Sequence, residues 1–271
     1  YRPHLLALQG WMLDRQQWQV VIDITWAVGG YLDLSGHWAE EISALRTGYQ
    51  AAISAENRYT QGAFLDSLGL AYSTLGLVQQ AIQHYQGALE LARQIGDRRG
   101  EGIQHGNLGL AYAELGQVEM VIHHYQQQLV IVREIGDRRG EGNALGSLGL
   151  AYAALGQVEQ AIGYYQQALE LARELGDRRN EEIHLCNLGL AYGYKNQNDL
   201  ALASYAKAIE LTPNYVHAYL SRGEFYINRK EYDKALTDFS KAIQLDPEFY
   251  EAYILRGDLY DMRGEYDKAL A

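Results

Sequence analysis

At 271 residues the chain is long enough for two compact domains, yet it holds only three prolines, and 48% of its residues are hydrophobic, which suits long helices. A net charge of −11 argues against a nucleic-acid backbone or an anionic membrane as the main partner. The one cysteine, Cys186, excludes an internal disulfide and fits a reducing compartment, so a cytoplasmic location is expected. No apolar run approaches the roughly 18 residues of a membrane helix, and no signal peptide is visible. Tyr1 is not an initiator Met, and Ala271 falls inside a helix expected from Tyr266, so the sequence reads as a piece of a longer protein.

Residues 1–21 show helical patterns without a clean repeat and read as a lead-in or junction. Residues 22–61 form a degenerate unit: Val28-Gly29, Gly36, Trp38 and Ile42 lie forty residues before Leu68-Gly69, Gly76, Val78 and Ile82. Residues 62–181 are three copies of a forty-residue cassette, and its signature Leu-Gly-Leu-Ala-Tyr begins at Leu68, Leu108, Leu148 and again at Leu188. Residues 182–249 then hold two units of about thirty-four residues, and residues 250–271 open another that is cut short. Self-similarity at such periods marks a stacked array in which no unit buries its apolar face alone.

Each cassette alternates two helical patterns. In one copy Leu145, Leu148, Gly149 and Tyr152 share a face of a first helix, and Gly156 breaks the run. Val158, Ala161, Ile162, Tyr165, Ala168 and Leu169 line the buried stripe of a second helix. Gly176-Asp177 ends it, with Asp177 placed to cap the next helix. Gly149, Ala161 and Ala168 stand where helices must approach closely, while Tyr152 and Tyr165 fill the space between. Val121 and Gln128 replace alanines of the flanking copies. That predicts either a locally splayed pair, with Gln128 turned toward a backbone partner, or a kink.

The pattern resembles the tetratricopeptide repeat family. Leu68-Gly69, Tyr72, Gly76, Ala81, Tyr85 and Ala88 meet its spacing, and Leu148-Gly149, Tyr152, Gly156, Ala161, Tyr165 and Ala168 meet it again. Arg222-Gly223, Tyr226, Ala235, Phe239 and Ala242 complete a shorter unit, and Arg256-Gly257, Tyr260, Gly264 and Ala269 open the last. Pro213 and Pro247 end second helices. The resemblance implies an all-α, right-handed superhelical solenoid of antiparallel helix pairs, with first helices lining a concave groove.

The forty-residue form is similar to the subgroup of Pins-type polarity adaptors and kinesin light chains, in which an Asn before Leu-Gly holds the backbone of an extended peptide. That slot carries Ser67, Asn107, Ser147 and Asn187 here, side chains able to bond a peptide amide. Leu70, Leu110, Leu150 and Leu190 follow each Leu-Gly pair and either face the groove or pack within the stack. Where the subgroup carries Arg pairs that read acidic ligands, Gly102-Ile103, Gly142-Asn143 and Glu182-Ile183 stand instead, so a strong preference for acidic peptides is not expected. The Lys and Asn clamp of chaperone-binding relatives has no counterpart.

Three further features carry two readings each. Arg98-Arg99, Arg138-Arg139 and Arg178-Arg179 either bind an anionic partner or are balanced by Asp97, Glu101, Asp137, Glu141, Asp177 and Glu181. His84 and His124 occupy equivalent positions on helices at least about 8–10 Å apart, too far to share a metal. Cys186 is either a packed thiol or a redox switch. No nucleophile elbow, phosphate-cradling loop, metalloprotease motif or zinc spacing occurs, so no enzyme, no cofactor and no metal are expected within these residues. The expected function is a protein–protein interaction scaffold that takes a peptide or protein partner. The alternatives are the sensor arm of a larger signalling NTPase with an NB-ARC-like switch, and a structural spacer without a ligand.

Overall fold

The computed structural model describes residues 2–34, 36–265 and 267, and among these it holds fourteen α-helices and no strand. They fall into two compact units, Tyr1–Asp137 and Arg138–Ala271. In the first, α1 (Arg2–Asp14) packs on a hairpin of α2 (Trp18–Leu34) and α3 (Trp38–Ser54). Two further hairpins follow, α4 (Arg58–Thr74) with α5 (Val78–Ile95) and α6 (Arg98–Glu114) with α7 (Val118–Glu134), stacked through α3 on α4 and α5 on α6. The second unit pairs α8 (Arg138–Ala154) with α9 (Val158–Leu175), α10 (Arg178–Tyr194) with α11 (Asn198–Leu211), and α12 (Val216–Asn228) with α13 (Tyr232–Leu245). α14 (Tyr250–Met262) closes it against α13. The all-α array of helix pairs is therefore present in both units. Tyr266, Ala269 and Ala271, on which the last expected helix rests, lie outside the described residues.

One contact recurs in every well-formed hairpin. A Cβ added at Gly69 would come within 2.4 Å of the Tyr85 ring, and at Gly109, Gly149, Gly189 and Gly223 within 2.7, 2.4, 2.6 and 2.4 Å of Tyr125, Tyr165, Tyr205 and Phe239. The Cδ1–Cε1–Cζ edge of the aromatic ring on the second helix thus packs against the bare backbone of the first. Close packing at this point leaves no room for even one methyl group.

Turns and caps set the helix ends. Gly76, Gly116 and Gly156 take φ values of +70°, +67° and +71° between the two helices of their hairpins, a region open to glycine. Gly96 and Gly176 end α5 and α9 in the left-handed conformation. Asp97 and Asp177 then accept the backbone N–H of Gly100 and Asn180 as N-caps. These caps place the first helices at Arg98 and Arg178, four residues ahead of the cassette boundary drawn at residue 182 for the latter. Their first turn is polar, so apolar periodicity does not mark it.

Two irregular places have local explanations. The half-buried Gln128 folds over the facing helix, where a Cβ on Gly106 would meet its Nε2 at 2.6 Å, so glycine in α6 makes room for the larger residue in α7. The lead-in helix is fastened by buried Gln9, whose Nε2 donates to Thr25 Oγ1 at 2.6 Å and to the Ala44 carbonyl at 3.0 Å.

Candidate peptide-binding site

Positions spaced by four, four and three residues share one helix face. On α4 this row is Tyr59, Ala63, Ser67 and Leu70, and on α6 it is Arg99, Ile103, Asn107 and Leu110, both in the first unit. In the second unit α8 presents Arg139, Asn143, Ser147 and Leu150, and α10 presents Arg179, Ile183, Asn187 and Leu190. The repeated leucines are exposed: Leu70 61%, Leu110 59%, Leu150 56% and Leu190 48%. Two residues earlier, Leu68, Leu108, Leu148 and Leu188 are almost wholly buried. Of the two readings of the leucine row, packing within the stack does not hold.

The polar row is half-buried and partly engaged. Ser67 Oγ donates to the Ala63 carbonyl at 3.1 Å, the common back-bond of a helical serine. Asn107 Nδ2 donates to Asp66 Oδ1 at 2.9 Å, and Gln104 Nε2 donates to the same oxygen at 2.9 Å. Within the protein the Ser67 hydroxyl proton and one Asn107 amide hydrogen are thus already engaged. Asn107 retains its second Nδ2 hydrogen as a donor and its carbonyl oxygen as an acceptor. Asp66 is a residue that sequence reasoning missed. Its slot carries Gly106, Gly146 and Cys186 in the following copies, so a carboxylate among small residues was the available signal.

The arginine pairs divide their roles. Arg98 pairs with Glu101 on its own helix and with Glu134 at the end of α7, and Arg138 pairs in the same way with Glu141 and Glu174. Asp97 and Asp177 serve as caps, and Glu134 and Glu174 are partners that the sequence reading did not name. Arg99 instead lines a cleft between α4 and α6, and Arg139 one between α8 and α10.

Away from this face, the first unit buries an imidazole pair. His105 Nδ1 and His124 Nδ1 lie 3.0 Å apart. Arg93 can only donate, and its Nη2 is 3.3 Å from His105 Nε2. His105 therefore carries its proton on Nδ1 and donates to His124, which leaves the His124 proton on Nε2. Both rings are neutral in this arrangement, and burial first, then neighbouring positive charge, pushes each down to about 4. His84 and His124 hold equivalent places in successive hairpins, and the ring that meets His124 is His105 of its own hairpin. Among the described residues no group of three or more His, Cys, Asp or Glu could hold a metal ion. Burial also pushes the Cys186 thiol up to about 12, so it stays protonated and unreactive near neutral pH.

Stacked hairpins that present a row of exposed leucines beside amide and hydroxyl groups define a helical-repeat scaffold of the binding class. Tetratricopeptide repeat models match residues 60–134, 140–214, 216–249 and 239–271, well over half of the sequence. The chain belongs to the tetratricopeptide repeat family.

No curated protein matches the chain. Among solved structures it is similar to a signal-transduction ATPase with numerous domains and a tetratricopeptide repeat sensor from Pyrococcus horikoshii, at 18% identity and a TM-score of 0.75. That match covers 100% of this chain and 46% of that one, so the chain spans less than half of that ATPase. A tetratricopeptide repeat protein from Parabacteroides merdae matches at 19% identity and a TM-score of 0.72, over 94% of this chain and 90% of the other. YrrB, described as a tetratricopeptide repeat protein with an unusual peptide-binding site, matches at 22% identity and a TM-score of 0.51, over 75% and 95%. At these identities the likeness is one of fold. No described helix is long and apolar enough to cross a membrane.

Proposed function

We propose that this protein is an interaction scaffold that captures a peptide or partner protein along the first helices of its repeats. The exposure of Leu70, Leu110, Leu150 and Leu190 beside Ser67, Asn107, Ser147 and Asn187 carries the reading. Four large apolar side chains repeated at one register in water are not needed for the hairpin core, and such surface is what a partner covers. The half-buried amides and hydroxyls beside them match the backbone of an extended segment. Rigid hairpins present this face with little ordering cost on the protein side. The same reading expects no cofactor and no catalysis within the chain, and a cytoplasmic partner.

A displayed library of random peptides, selected on the whole chain, tests it. Leu110→Ser is expected to weaken peptides held by the first unit by roughly tenfold, and Leu150→Ser those held by the second, at unchanged helicity. Asn107→Ala and Asn187→Ala should do the same, each for the peptides of its own unit. Failure to select any peptide, or affinities indifferent to all four changes, overturns the proposal.

A second reading, the sensor arm of a larger signalling NTPase, is favoured by the similarity to the Pyrococcus ATPase along the whole of this chain. The gene sequence upstream of the codon for Tyr1 decides it. A phosphate-binding loop followed by a helical switch domain is the expected result, and a nearby start codon removes the reading.

A further inference from the structure

Between α4 and α6 lies a cleft of about 340 Å³ that reaches down to Ala88 and Ala92 of α5. The corresponding space between α8 and α10 is divided. An outer mouth of about 380 Å³ is lined by Arg139 and Asn143, while the inner end on Ala168 and Ala172 measures only about 10 Å³. Two residues make the difference. In the second unit His184 lies across Gly146, where an added Cβ would meet its Cε1 at 2.8 Å, and the inner space is closed. In the first unit the equivalent residues are Gln104 and Asp66, and the amide is drawn aside onto Oδ1 of the carboxylate, so the space stays open.

The open cleft is rich in acceptors. Asp66 Oδ1 receives Gln104 and Asn107, and neither bond uses Oδ2. Gln104 is only 5% exposed, and its Oε1 is buried without a hydrogen-bond partner among the described residues. Tyr59 stands at the mouth, where the second unit has Arg139, and alanine and isoleucine side chains make the walls. Arg99 is the one cation on the lining among the described residues, and its side chain is exposed at the rim.

We infer that this cleft is a subsite for one basic side chain, Lys or Arg, of the bound peptide. The aliphatic stem would lie against Ala88, Ala92 and Ile103, the charged head would bond Asp66 Oδ2, and Tyr59 would cover it with its ring face. The inference rests on the peptide-binding reading above and adds to it the chemistry of one residue of the partner. It also explains why a single repeat carries a carboxylate in a slot that the following copies fill with Gly or Cys.

The test runs the displayed peptide library in parallel on the whole wild-type chain and on Asp66→Asn. Asparagine keeps the Oδ1 acceptor for Gln104 and Asn107, so the fold is expected to persist with unchanged helicity. Wild type should enrich Lys or Arg at one fixed position of the selected peptides, and Asp66→Asn should lose that enrichment. On wild type alone, replacing this residue of the best peptide by norleucine should weaken binding by roughly tenfold or more, a result independent of how the variant folds. Peptides selected without a basic position, or with the same basic position on Asp66→Asn, overturn the subsite and leave the scaffold reading standing. Enrichment of Asp or Glu at that position overturns it in favour of Arg99. Selection of no peptide at all removes both readings.

Discussion

At Gly149 the α-carbon of α8 is covered by the Tyr165 ring so closely that an added Cβ would lie 2.4 Å from Cε1. Neither partner can give way, because Tyr165 is itself buried and its neighbour Ala161 is wholly enclosed. Gly149→Ala is expected to destabilise the protein by about 1–3 kcal/mol through overpacking, despite the better helix propensity of alanine. Urea denaturation of the variant checks this, and a midpoint equal to or above wild type contradicts the lock. The small and large residues of this contact were legible in the sequence, since both recur at fixed register. Gln128 over Gly106 and Gln104 on Asp66 were not, because each joins residues that no period relates.

At the scale of the helix hairpin, the turn between first and second helices decides how well the unit closes. The forty-residue hairpins use glycine there, whereas the shorter ones place Asn196 at φ 57° and Lys230 at φ 61°. A β-carbon in the left-handed region costs about 1–2 kcal/mol, less for Asn, whose short polar side chain tolerates it. Lys230→Gly is therefore expected to stabilise by about 1 kcal/mol after the extra chain entropy of glycine is counted, and Asn196→Gly by less. Thermal midpoints rank the two, and a Lys230→Gly midpoint below wild type refutes the argument. Capping follows the same logic: Gly96-Asp97 and Gly176-Asp177 announce their role in sequence order. The partners of Arg98 and Arg138 do not, since Glu134 and Glu174 reach them from the far ends of the next helices.

For the molecule as a whole, the buried histidines set a pH limit. His105, His124 and His184 are each pushed from an ordinary 6.5 down to about 4, burial being the first cause in all three. For His105 the Arg93 guanidinium, His123 and Arg98 work in the same direction against the opposing Glu101 carboxylate, and for His124 the His105 ring, His123 and Arg93 do so where they are charged. The folded state thus binds fewer protons than the unfolded one between these values. The stability is fully present above about 6.5 and falls as pH drops toward about 4. The ion-paired carboxylates Glu101 and Glu134 are held below their ordinary 4.5, so their contribution fades only in more acid solution. Urea midpoints at pH 7, 6 and 5 should decline stepwise, and His184→Gln should flatten part of the slope. A midpoint constant across that range rules out the buried neutral rings.

Order along the chain determined which elements form and how each hairpin closes. Periodic apolar positions, left-handed glycines and capping aspartates all act within one repeat, so their physics is local and their spacing is enough to read it. Tertiary structure alone decided which polar groups meet. The His105–His124 pair and the Asp66 junction with Gln104 and Asn107 each join different helices. Side-chain reach and the depth of burial select such partners, and neither is carried by a repeat period. The same holds for the leucine row: its recurrence was plain in the sequence, but only the stacked hairpins show that its side chains stay in water.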